Sequence, residues 1–444
     1  MEIQKFGGTS MGNAQRIRDV ARIVQDGEQK FVVLSAMAGI TNLLYEAIDH
    51  KQKGVAGIAE EKLKELFTKL DTAWATLMGE HGTAFSDRFK EPVMHLLECA
   101  DDELLANELV AYGEIMTTQL MYGYLKAAGA RVMLVPALSY MWLAEHGDPD
   151  MASIRKNLEV TLRQNPDVDI YLTEGFICRT QSGRITNLKR GGSDYTATII
   201  GAVLGARKIE IWSDVDGFHN NDPRFVNEAQ PVRQLSYNEA AELAYFGAKI
   251  MHPTAVQPAS RADIPLVLKN TLNPSDQGTV IHGTKRPDGI RAIAARDNIV
   301  VIRVTSGRML NAFGFLRRLF AVFEDHRVPI DVITTSEVAV SVTIEAEYLE
   351  ESLVVDLALL GEVALYKNQS VVCVVGNFSP DAEAVVASVL NALKHIPVRM
   401  ISYGGSSINV TLVMNSEYKM QAMNDLHNQL LNTQNGKQKL VASV

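Results

Sequence analysis

Cysteine is scarce in this sequence, and its spacing excludes a disulfide framework or a metal site built on thiols. Only three cysteines occur in 444 residues, and they lie far apart at Cys99, Cys178 and Cys373. An odd number of widely spaced thiols lacks the pairing pattern of small secreted domains and the close spacing of zinc ligands. We therefore expect reduced thiols in a cytoplasmic protein.

Long apolar runs, a signal-peptide core and a surplus of positive charge are also missing. No apolar stretch is long enough to cross a bilayer as a helix, and the N-terminal residues lack the apolar core of a secretory signal. The formal net charge is −9 and the isoelectric point is near 5.7, whereas a general nucleic-acid binder presents a basic face. We therefore expect neither a membrane nor a nucleic acid among the partners.

The composition is that of a soluble globular protein, with 47% hydrophobic and 21% charged residues. A chain of 444 residues exceeds a single ordinary core, so two or three domains are expected. Strands alternate with helices up to about residue 282, which predicts a three-layer α/β domain with a mostly parallel sheet. A polar connector with Gly and Pro at 282–289 predicts a boundary between domains at 1–285 and 290–444.

The last third of the sequence contains an internal repeat, in which a strand, a helix and two strands occur twice. The pattern predicts two α+β units, each with helices on one face of a sheet, and a final helix and strand complete the second. Units of this type commonly pair edge to edge or across a dimer. The first copy is predicted at 299–304, 313–326, 329–336 and 338–344, and the second at 370–376, 381–394, 397–402 and 407–413.

The stretch 187–217 has the pattern of an anion site. Lys189, Arg190 and two glycines precede an apolar helix, so positive charge and free backbone N–H groups meet at a helix start. Ser193 and Asp194 are good N-cap residues for a helix that begins near Tyr195. A solvated basic turn before an ordinary helix is the alternative.

A second glycine loop follows the first predicted strand, 2–6. Lys5 precedes the glycines, and no Walker A sequence occurs in the chain, so this is a different kind of phosphate loop. The predicted strand 31–36 carries Ser35 at its carboxyl end, where ligands bind in open α/β sheets. In the helical block 55–128, Gly113-Glu114 suggests a break or a close approach, and the alternative is a helix start whose Glu only compensates the dipole.

Together these stretches resemble one family, the aspartate kinases of the amino-acid kinase superfamily, which carry two ACT regulatory units. The matching stretches follow the family's order over nearly the whole chain, and the set is specific although each member alone is weak. They are 5–10, 33–42, 113–114, 175–176, 188–197, 213–217, 221–224, 246–253, 309, 314–316 and 333–337. The chain ends soon after the second ACT-like unit, so it resembles the monofunctional type.

The resemblance implies an αβα kinase domain at 1–285 and an α+β, ferredoxin-like ACT region at 290–444. The family tends to interleave its ACT units, with the strand near Ile299 in the second unit. In that arrangement one unit, about 307–369, is inserted into a second unit made of 290–306 plus 370–444. The repeat alone instead predicts tandem units.

The resemblance implies phosphoryl transfer from MgATP to the β-carboxylate of L-aspartate, the first step towards lysine, threonine and methionine. The acceptor is already an anion, so the reaction calls for positioning and positive charge and needs no general base. Lys5 would hold the transferring group, Asp194 would orient Lys5, and Lys249 would join them in catalysis.

The same resemblance assigns binding residues. Glu114 would receive the substrate ammonium group and Arg190 would pair with a carboxylate. The substrate pocket would be completed by Ser35, Thr41, Phe176, Gly191, Gly192 and Ser193. ATP would contact Lys5, Gly7, Gly8, Ser213, Asp214, His219, Arg224, Lys249 and Ile250, and its phosphates would hold Mg²⁺ without a protein metal site. His219 stands where the family often has Tyr beside the nucleotide.

An amino-acid effector, with lysine first, is expected in the ACT region. Asp331 would offer a carboxylate to an ammonium group, and 314–316 would offer amides at a helix start. Pro329 replaces a small polar residue of lysine-sensitive relatives, so threonine is the rival effector. The expected effector residues are Met309, Gly314, Phe315, Leu316, Pro329, Asp331, Thr335, Ser336 and Glu337. A homodimer through the ACT units is expected, with a tetramer left open.

Two other functions are left open by the sequence. One is a different amino-acid or carboxylate kinase on the same scaffold, since Glu114 and Arg190 would suit any α-amino acid. The other is an amino-acid sensor without chemistry. The paired ACT-like units and 333–337 favour aspartate, and the intact set of Lys5, Arg190, Asp194 and Lys249 argues against a sensor.

Overall fold

The structure is a computed structural model that describes residues 1–79, 84–100, 103–247, 250–284, 287–310, 313–378 and 385–432. The chain divides into two compact units. Unit 1 comprises Met1–Phe218, Arg233–Ala241 and Ile250–Thr284, and unit 2 comprises His219–Val232, Glu242–Lys249 and Lys285–Val444. Two segments of unit 2 thus precede the boundary drawn from the sequence, and the division at 285–290 stays a prediction.

Unit 1 is built on a mostly parallel sheet. Its strands are β1 (Glu2–Phe6), β2 (Lys30–Leu34), β3 (Val132–Leu134), β4 (Ile170–Glu174), β5 (Ile177–Arg179), β6 (Ile185–Asn187), β7 (Ile209–Ser213), β8 (Gln234–Ser236), β9 (Leu266–Asn270) and β10 (Thr279–His282). Among the described residues, eight strands form one sheet in the order β3-β4-β2-β1-β7-β9-β10-β8, and β5 and β6 form a separate hairpin. Every neighbouring pair in the large sheet is parallel except β9 with β10.

Helices cover both faces of this sheet. They are α1 (Ala14–Val24), α2 (Ile40–Gln52), α3 (Ala56–Met78), α4 (Asp87–Glu98), α5 (Glu103–Ala127), α6 (Ala137–Tyr140), α7 (Met151–Gln164), α8 (Gly192–Leu204), α9 (Tyr237–Phe246) and α10 (Val256–Arg261). Phe6, Leu34 and Leu172 point to one face and share a core with α1 to α5. On the other face, Gly201 of α8 lies so close to Ile209 that a Cβ there would overlap its side chain. The three-layer prediction is therefore confirmed.

One local prediction in unit 1 was wrong, and one of the alternatives at Gly113-Glu114 was confirmed. The helix predicted from Tyr195 begins at Gly192, and its N-cap is Gly191 in the left-handed region. Gly113-Glu114 neither starts nor breaks a helix, because both residues lie inside the continuous α5. The glycine instead permits close approach, since a Cβ there would lie 3.3 Å from the Cβ of Ala36.

Unit 2 contains an antiparallel sheet with helices. Its strands are β11 (Gly289–Thr305), β12 (Ile333–Thr335), β13 (Ala339–Glu345), β14 (Glu362–Asn377), β15 (Val398–Ser402) and β16 (Asn409–Asn415). Its helices are α11 (Phe315–Asp325), α12 (Glu351–Ala358), α13 (Val385–Ala392) and α14 (Lys419–Leu426), which a π-helical turn extends over His427–Asn432. The strand order among described residues is β12-β13-β11-β14-β16-β15.

The two long central strands each serve two hydrophobic cores. Val300, Ile302 and Val304 of β11 pack in a core with α11 and α12, whereas Ile290 and Ile293 pack with α13 and α14. The register of β11 with β14 shifts between Arg296 and Ile299, where the change of core occurs. Both partitions considered from the sequence assign the strand near Ile299 to one unit, whereas this single strand contributes to both cores.

Within the part of the chain that the structure describes, no helix combines the length and the apolar character that a bilayer span requires.

Candidate active site

A buried ion pair lies at the carboxyl edge of the unit 1 sheet. Lys5 Nζ is 2.5 Å from Asp194 Oδ1, and their side chains are only 11% and 8% exposed. Lys5 is near the end of β1, and Asp194 is in the first turn of α8. Alternation along β1 places Lys5 on the same face as Ile3, which is the face that α8 covers. Lys5 therefore provides positive charge at the carboxyl edge of the sheet, beside the start of α8.

The Gly7-Gly8 loop packs directly on the loop after β2. Gly7 N–H donates to the carbonyl of Trp212, and Ala38 N–H donates to the carbonyl of Gly8. A Cβ at Gly8 would lie 2.6 Å from the carbonyl oxygen of Ala36, so only glycine fits without rearrangement. A Cβ at Gly7 would lie 3.6 Å from Lys5 Nζ, which places this backbone beside the ion pair.

Glu114 projects from α5 towards the same loop. Its Oε1 accepts a long hydrogen bond, 3.4 Å, from Ala36 N–H, while the neighbouring Met37 N–H donates to Thr117 at 2.9 Å. Glu114 is 4% exposed, and its Oε2 has no hydrogen-bond partner among the described residues. Burial, with a smaller contribution from the charge of Glu174, raises the pKa of Glu114 to about 8. A cationic group placed at the unpartnered oxygen would favour the ionised form of this carboxyl.

The turn after β4 fits tightly against the start of α8. A Cβ at Gly175 would lie 2.5 Å from the Cβ of Ser193, and one at Gly192 would lie 2.8 Å from the ring of Phe176. Phe176 has a positive φ of 68°, and its N–H donates to Thr196 Oγ1 at 3.1 Å. These contacts set the backbone of 191–193 beside the end of β4.

Arg190 lies in the exposed turn that leads into α8. Burial lowers the pKa of His252, the charge of Arg190 lowers it further, and Asp194 opposes both. His252 and Gly191 are in contact, because a Cβ on the glycine would overlap the Cβ of His252. His252 is not among the site residues predicted from the sequence, although it belongs to the matching stretch 246–253.

The other predicted substrate residues lie at the ends of unit 1 elements. Ser35 follows β2, and its N–H donates to the carbonyl of Phe6. Thr41 is partly exposed in the first turn of α2, which has Gly39 as its left-handed N-cap. The end of β1 with its glycine loop, the loop after β2, the middle of α5 and the start of α8 thus form one connected set, which carries Lys5, Gly7, Gly8, Ser35, Glu114 and Ser193.

The predicted nucleotide residues are distributed between the units. In unit 1, Ser213 ends β7, and Asp214 is exposed in the turn that follows it. In unit 2, His219 forms an isolated bridge with Pro231, and Arg224 is held by a forked ion pair with Asp222 at 2.6 Å. Ile250 is partly exposed in unit 1, and Lys249 lies outside the described residues.

The predicted effector residues lie in unit 2. Gly314 is the left-handed N-cap of α11, and Leu316 is 40% exposed. Phe315 is buried in the core that contains α11 and α12. The exposed residues Pro329, Thr335, Ser336 and Glu337 flank or belong to β12, and Met309 is in a short 3₁₀ turn after β11.

Asp331 has partners that the sequence did not indicate. Its Oδ1 accepts a hydrogen bond from Tyr245 and lies 3.4 Å from Arg296, which also pairs with Glu345. Asp331 Oδ2 is buried without a hydrogen-bond partner among the described residues. The carboxylate is therefore neutralised at one oxygen, and the other can accept a further donor.

Comparison with known proteins assigns the family. A model described as the amino acid kinase family matches residues 1–270, and an ACT domain model matches residues 372–430. The chain is 32% identical to lysine-sensitive aspartokinase 3 of Escherichia coli K12, over 96% of this chain and 98% of that relative.

Solved structures support the same assignment. Escherichia coli aspartokinase III in complex with aspartate and ADP, in the R-state, matches with a TM-score of 0.86 and 32% identity, over 97% of this chain and 99% of that one. The same enzyme with lysine and aspartate, in the T-state, matches with a TM-score of 0.82 and 31% identity, over 97% and 99%. These matches confirm the resemblance and the α/β-plus-ACT fold class. This chain belongs to the aspartokinases of the amino acid kinase family.

Proposed function

We propose that this chain transfers the γ-phosphoryl group of ATP to the β-carboxylate of L-aspartate, forming 4-phospho-L-aspartate and ADP. The observation that carries the proposal is the buried Lys5–Asp194 ion pair beside the Gly7-Gly8 loop. The related enzyme from Escherichia coli binds aspartate and ADP. A buried lysine with a fixed partner supplies positive charge where two anions must meet.

In this mechanism the protein contributes positioning and charge. The β-carboxylate of aspartate is a nucleophile at neutral pH, so it attacks the γ-phosphorus without a base, and ADP leaves. Lys5 and the amides of Gly7 and Gly8 stabilise the charge on the transferring oxygens, and Asp194 orients Lys5. Glu114 receives the substrate ammonium group, and Arg190 receives a carboxylate. Ser35, Thr41, Phe176, Gly191, Gly192 and Ser193 complete the substrate pocket.

Nucleotide binding is proposed for the Gly7-Gly8 loop together with Ser213, Asp214, His219, Arg224, Lys249 and Ile250. Mg²⁺ would accompany ATP as the phosphate-bound ion. Among the described residues, no group of three or more His, Cys, Asp or Glu side chains could form a cage for it. We assign the ion to the phosphates of ATP, because Mg²⁺ keeps several waters and is bound largely through substrate phosphates in kinase sites.

Regulation by an amino acid is proposed for unit 2, with lysine as the first effector. The related Escherichia coli enzyme binds lysine together with aspartate in its T-state. The unpartnered Oδ2 of Asp331 and the amides at the start of α11 are the groups that would bind the effector's ammonium and carboxylate groups. We also propose a homodimer through the ACT region and a cytoplasmic location.

A coupled assay of ADP release tests the proposed reaction. With ATP and Mg²⁺, release is expected with L-aspartate and not with L-glutamate or N-acetylglutamate. Release with one of the other acceptors, and none with aspartate, would instead identify a different carboxylate kinase. Aspartate binding without release of ADP would identify a sensor.

A further inference from the structure

Two carboxyl groups are buried together beside the substrate loops of unit 1. Glu114 is 4% exposed and Glu174 is 3% exposed. Glu174 ends β4, and its Oε2 accepts a 2.7 Å hydrogen bond from Ala137 N–H at the start of α6. Glu114 has only the 3.4 Å hydrogen bond from Ala36 N–H, and its Oε2 has no partner among the described residues.

The sheet register brings these two acids to the same stretch of backbone. Glu174 is the strand partner of Leu34, and the following residue, Gly175, donates its N–H to the Leu34 carbonyl at 2.8 Å. Glu114 contacts Ala36, which is two residues beyond Leu34. The end of β2 therefore lies between the acid from α5 and the acid from β4.

The groups around this pair do not neutralise it. In the part of the chain described, neither carboxyl forms an ion pair. The titratable neighbours are Tyr45 of α2, beside Glu114, and Tyr140 of α6, beside Glu174, and the pKa of each tyrosine is raised, first by burial and then by the nearby acid. Tyr140 instead hydrogen-bonds with Thr173 at 2.9 Å.

Burial raises the pKa of Glu174 to about 7 and that of Glu114 to about 8, and the charge of Glu174 adds to the increase at Glu114. Two interacting acids in a low-dielectric site lose their protons in two steps that belong to the pair. Near neutral pH, the ligand-free pair therefore retains a proton.

We propose that Glu174 is a positioning residue that controls the protonation of Glu114 and thereby the pH dependence of aspartate capture. The inference rests on the proposed function, because it takes Glu114 as the acceptor of the substrate ammonium group. An ionised Glu114 binds that group best, so aspartate binding expels a proton from the pair. The charge of Glu174 disfavours the ionised state before substrate arrives.

The first test measures proton release with the wild-type protein. Titration calorimetry with L-aspartate, near pH 7 in buffers of different ionisation enthalpy, counts the protons released on binding. We expect a substantial fraction of one proton at about pH 7 and much less at about pH 9. Binding without proton release at either pH would overturn the proposal. This measurement needs no turnover and no variant.

The second test uses Glu174→Gln, whose side-chain carbonyl can still accept the hydrogen bond from Ala137 N–H. In the wild type, kcat/KM for aspartate should fall as pH decreases below about 8, by roughly tenfold per unit at the limit. In Glu174→Gln the transition should move to lower pH by roughly one unit. KM for ATP and kcat at saturating aspartate should change little.

Glu2→Gln is the matched control. Glu2 is a similarly buried acid of the same sheet, at the amino edge of the strands, where it pairs with Arg207 and Lys208. Its pH profile should match the wild type. A Glu174→Gln profile identical to the wild type, in a protein with a normal melting curve, would overturn the proposal. Absence of ADP release in the wild type would instead reject the proposed function, and calorimetry would still test the coupling of the two acids.

Discussion

At the residue scale, the site is defined by charges that the fold buries in pairs. Burying Lys5 and Asp194 costs desolvation free energy, and their mutual attraction recovers it only because the two groups are in direct contact. Such a pair is weak evidence for stability alone. Its position beside the glycine loop gives it a physical role, since a fixed cation requires no reorganisation when phosphoryl charge develops.

Lys5→Ala is expected to lower kcat by about 10²–10³ while the chain remains folded. Asp194→Asn should act in the same direction and less strongly, because the amide oxygen can still accept from Lys5. ADP release and thermal melting would be measured together. Lys208→Ala is the control, since this lysine lies at the opposite edge of the sheet with Glu2 and Glu210. A Lys5→Ala enzyme within a few-fold of wild type would remove Lys5 from the mechanism.

Glu114→Gln is expected to stabilise the ligand-free chain, and increasingly so as pH rises towards 8. The pKa of Glu114 is about 8 in the folded state against an ordinary 4.5, so folding retains a proton that the unfolded chain loses. The stability that the wild-type group contributes is full below about pH 4.5 and is lost as pH rises through about 8. Melting curves at about pH 5.5 and about pH 8 test this sign.

Glu2→Gln should show the opposite pH trend. Burial raises the pKa of Glu2, but its contacts with Arg207 and Lys208 lower it more, so the pKa is lower than the ordinary value. The ionised group therefore stabilises the fold above its unfolded pKa, and the substitution removes that contribution.

A melting difference for Glu114→Gln that is independent of pH would show that Glu114 is ionised throughout.

At the element scale, the start of α8 decides where the functional groups lie. Gly191 adopts a φ of 74°, which favours glycine, and this turn allows α8 to begin at Gly192. Asp194 then falls in the first turn, where it reaches Lys5, and Ser193 packs on Gly175. A helix beginning at Tyr195, as the N-cap pattern predicted, would leave Ser193 and Asp194 outside the first turn.

Gly191→Ala is expected to impair both stability and activity, and Gly205→Ala provides a close control. Both glycines cap α8 in the left-handed region, with φ of 74° and 60°, so both substitutions incur a cost of about 1–2 kcal/mol. A Cβ at Gly205 meets open space, whereas one at Gly191 overlaps His252. Gly205→Ala should therefore lose only that backbone cost and keep its activity. Equal losses in melting temperature and kcat would show that the contact with His252 is unimportant.

At the scale of the whole molecule, Lys5, Glu114 and Asp194 belong to unit 1, whereas the proposed effector residues belong to unit 2. Inhibition requires the effector to bind one global state better than another, and typical coupling free energies are about 1–3 kcal/mol. In the described part of unit 2, Asp331 combines burial, a cationic neighbour and one oxygen without a hydrogen-bond partner. Effector binding at Asp331 would perturb its contacts with Tyr245 and Arg296.

Asp331→Ala is expected to abolish inhibition by lysine and leave catalysis near normal. Arg296 retains Glu345 as an ion-pair partner, so the substitution should not leave that cation unpaired. Activity would be titrated with lysine and threonine, separately and together. Asp356→Ala is the control, because Asp356 pairs with His326 in the same part of unit 2. Lysine inhibition that is competitive with aspartate and persists in Asp331→Ala would contradict this site, as would insensitivity of the wild type to both amino acids at millimolar concentration.

The sequence by itself determined the features that depend on local pattern. The glycine loops, the strand ends near Lys5 and Ser35 and the three-layer class followed from residue order and spacing, and the family followed from the resemblance of the motifs. These features are predictable because a left-handed turn, a buried strand or a charged loop is encoded within a few neighbouring residues.

Only the tertiary structure decided which distant groups meet. Glu174 comes beside Glu114 through the pairing of β2 with β4, and Asp331 meets Arg296 and Tyr245 through side-chain contacts. Similarly, the register shift near Ile299 allows β11 to serve two cores, which no repeat pattern indicates. The physical reason is that desolvation and ion pairing depend on which groups the sheet register and helix packing bring together, and one-dimensional spacing does not contain that information.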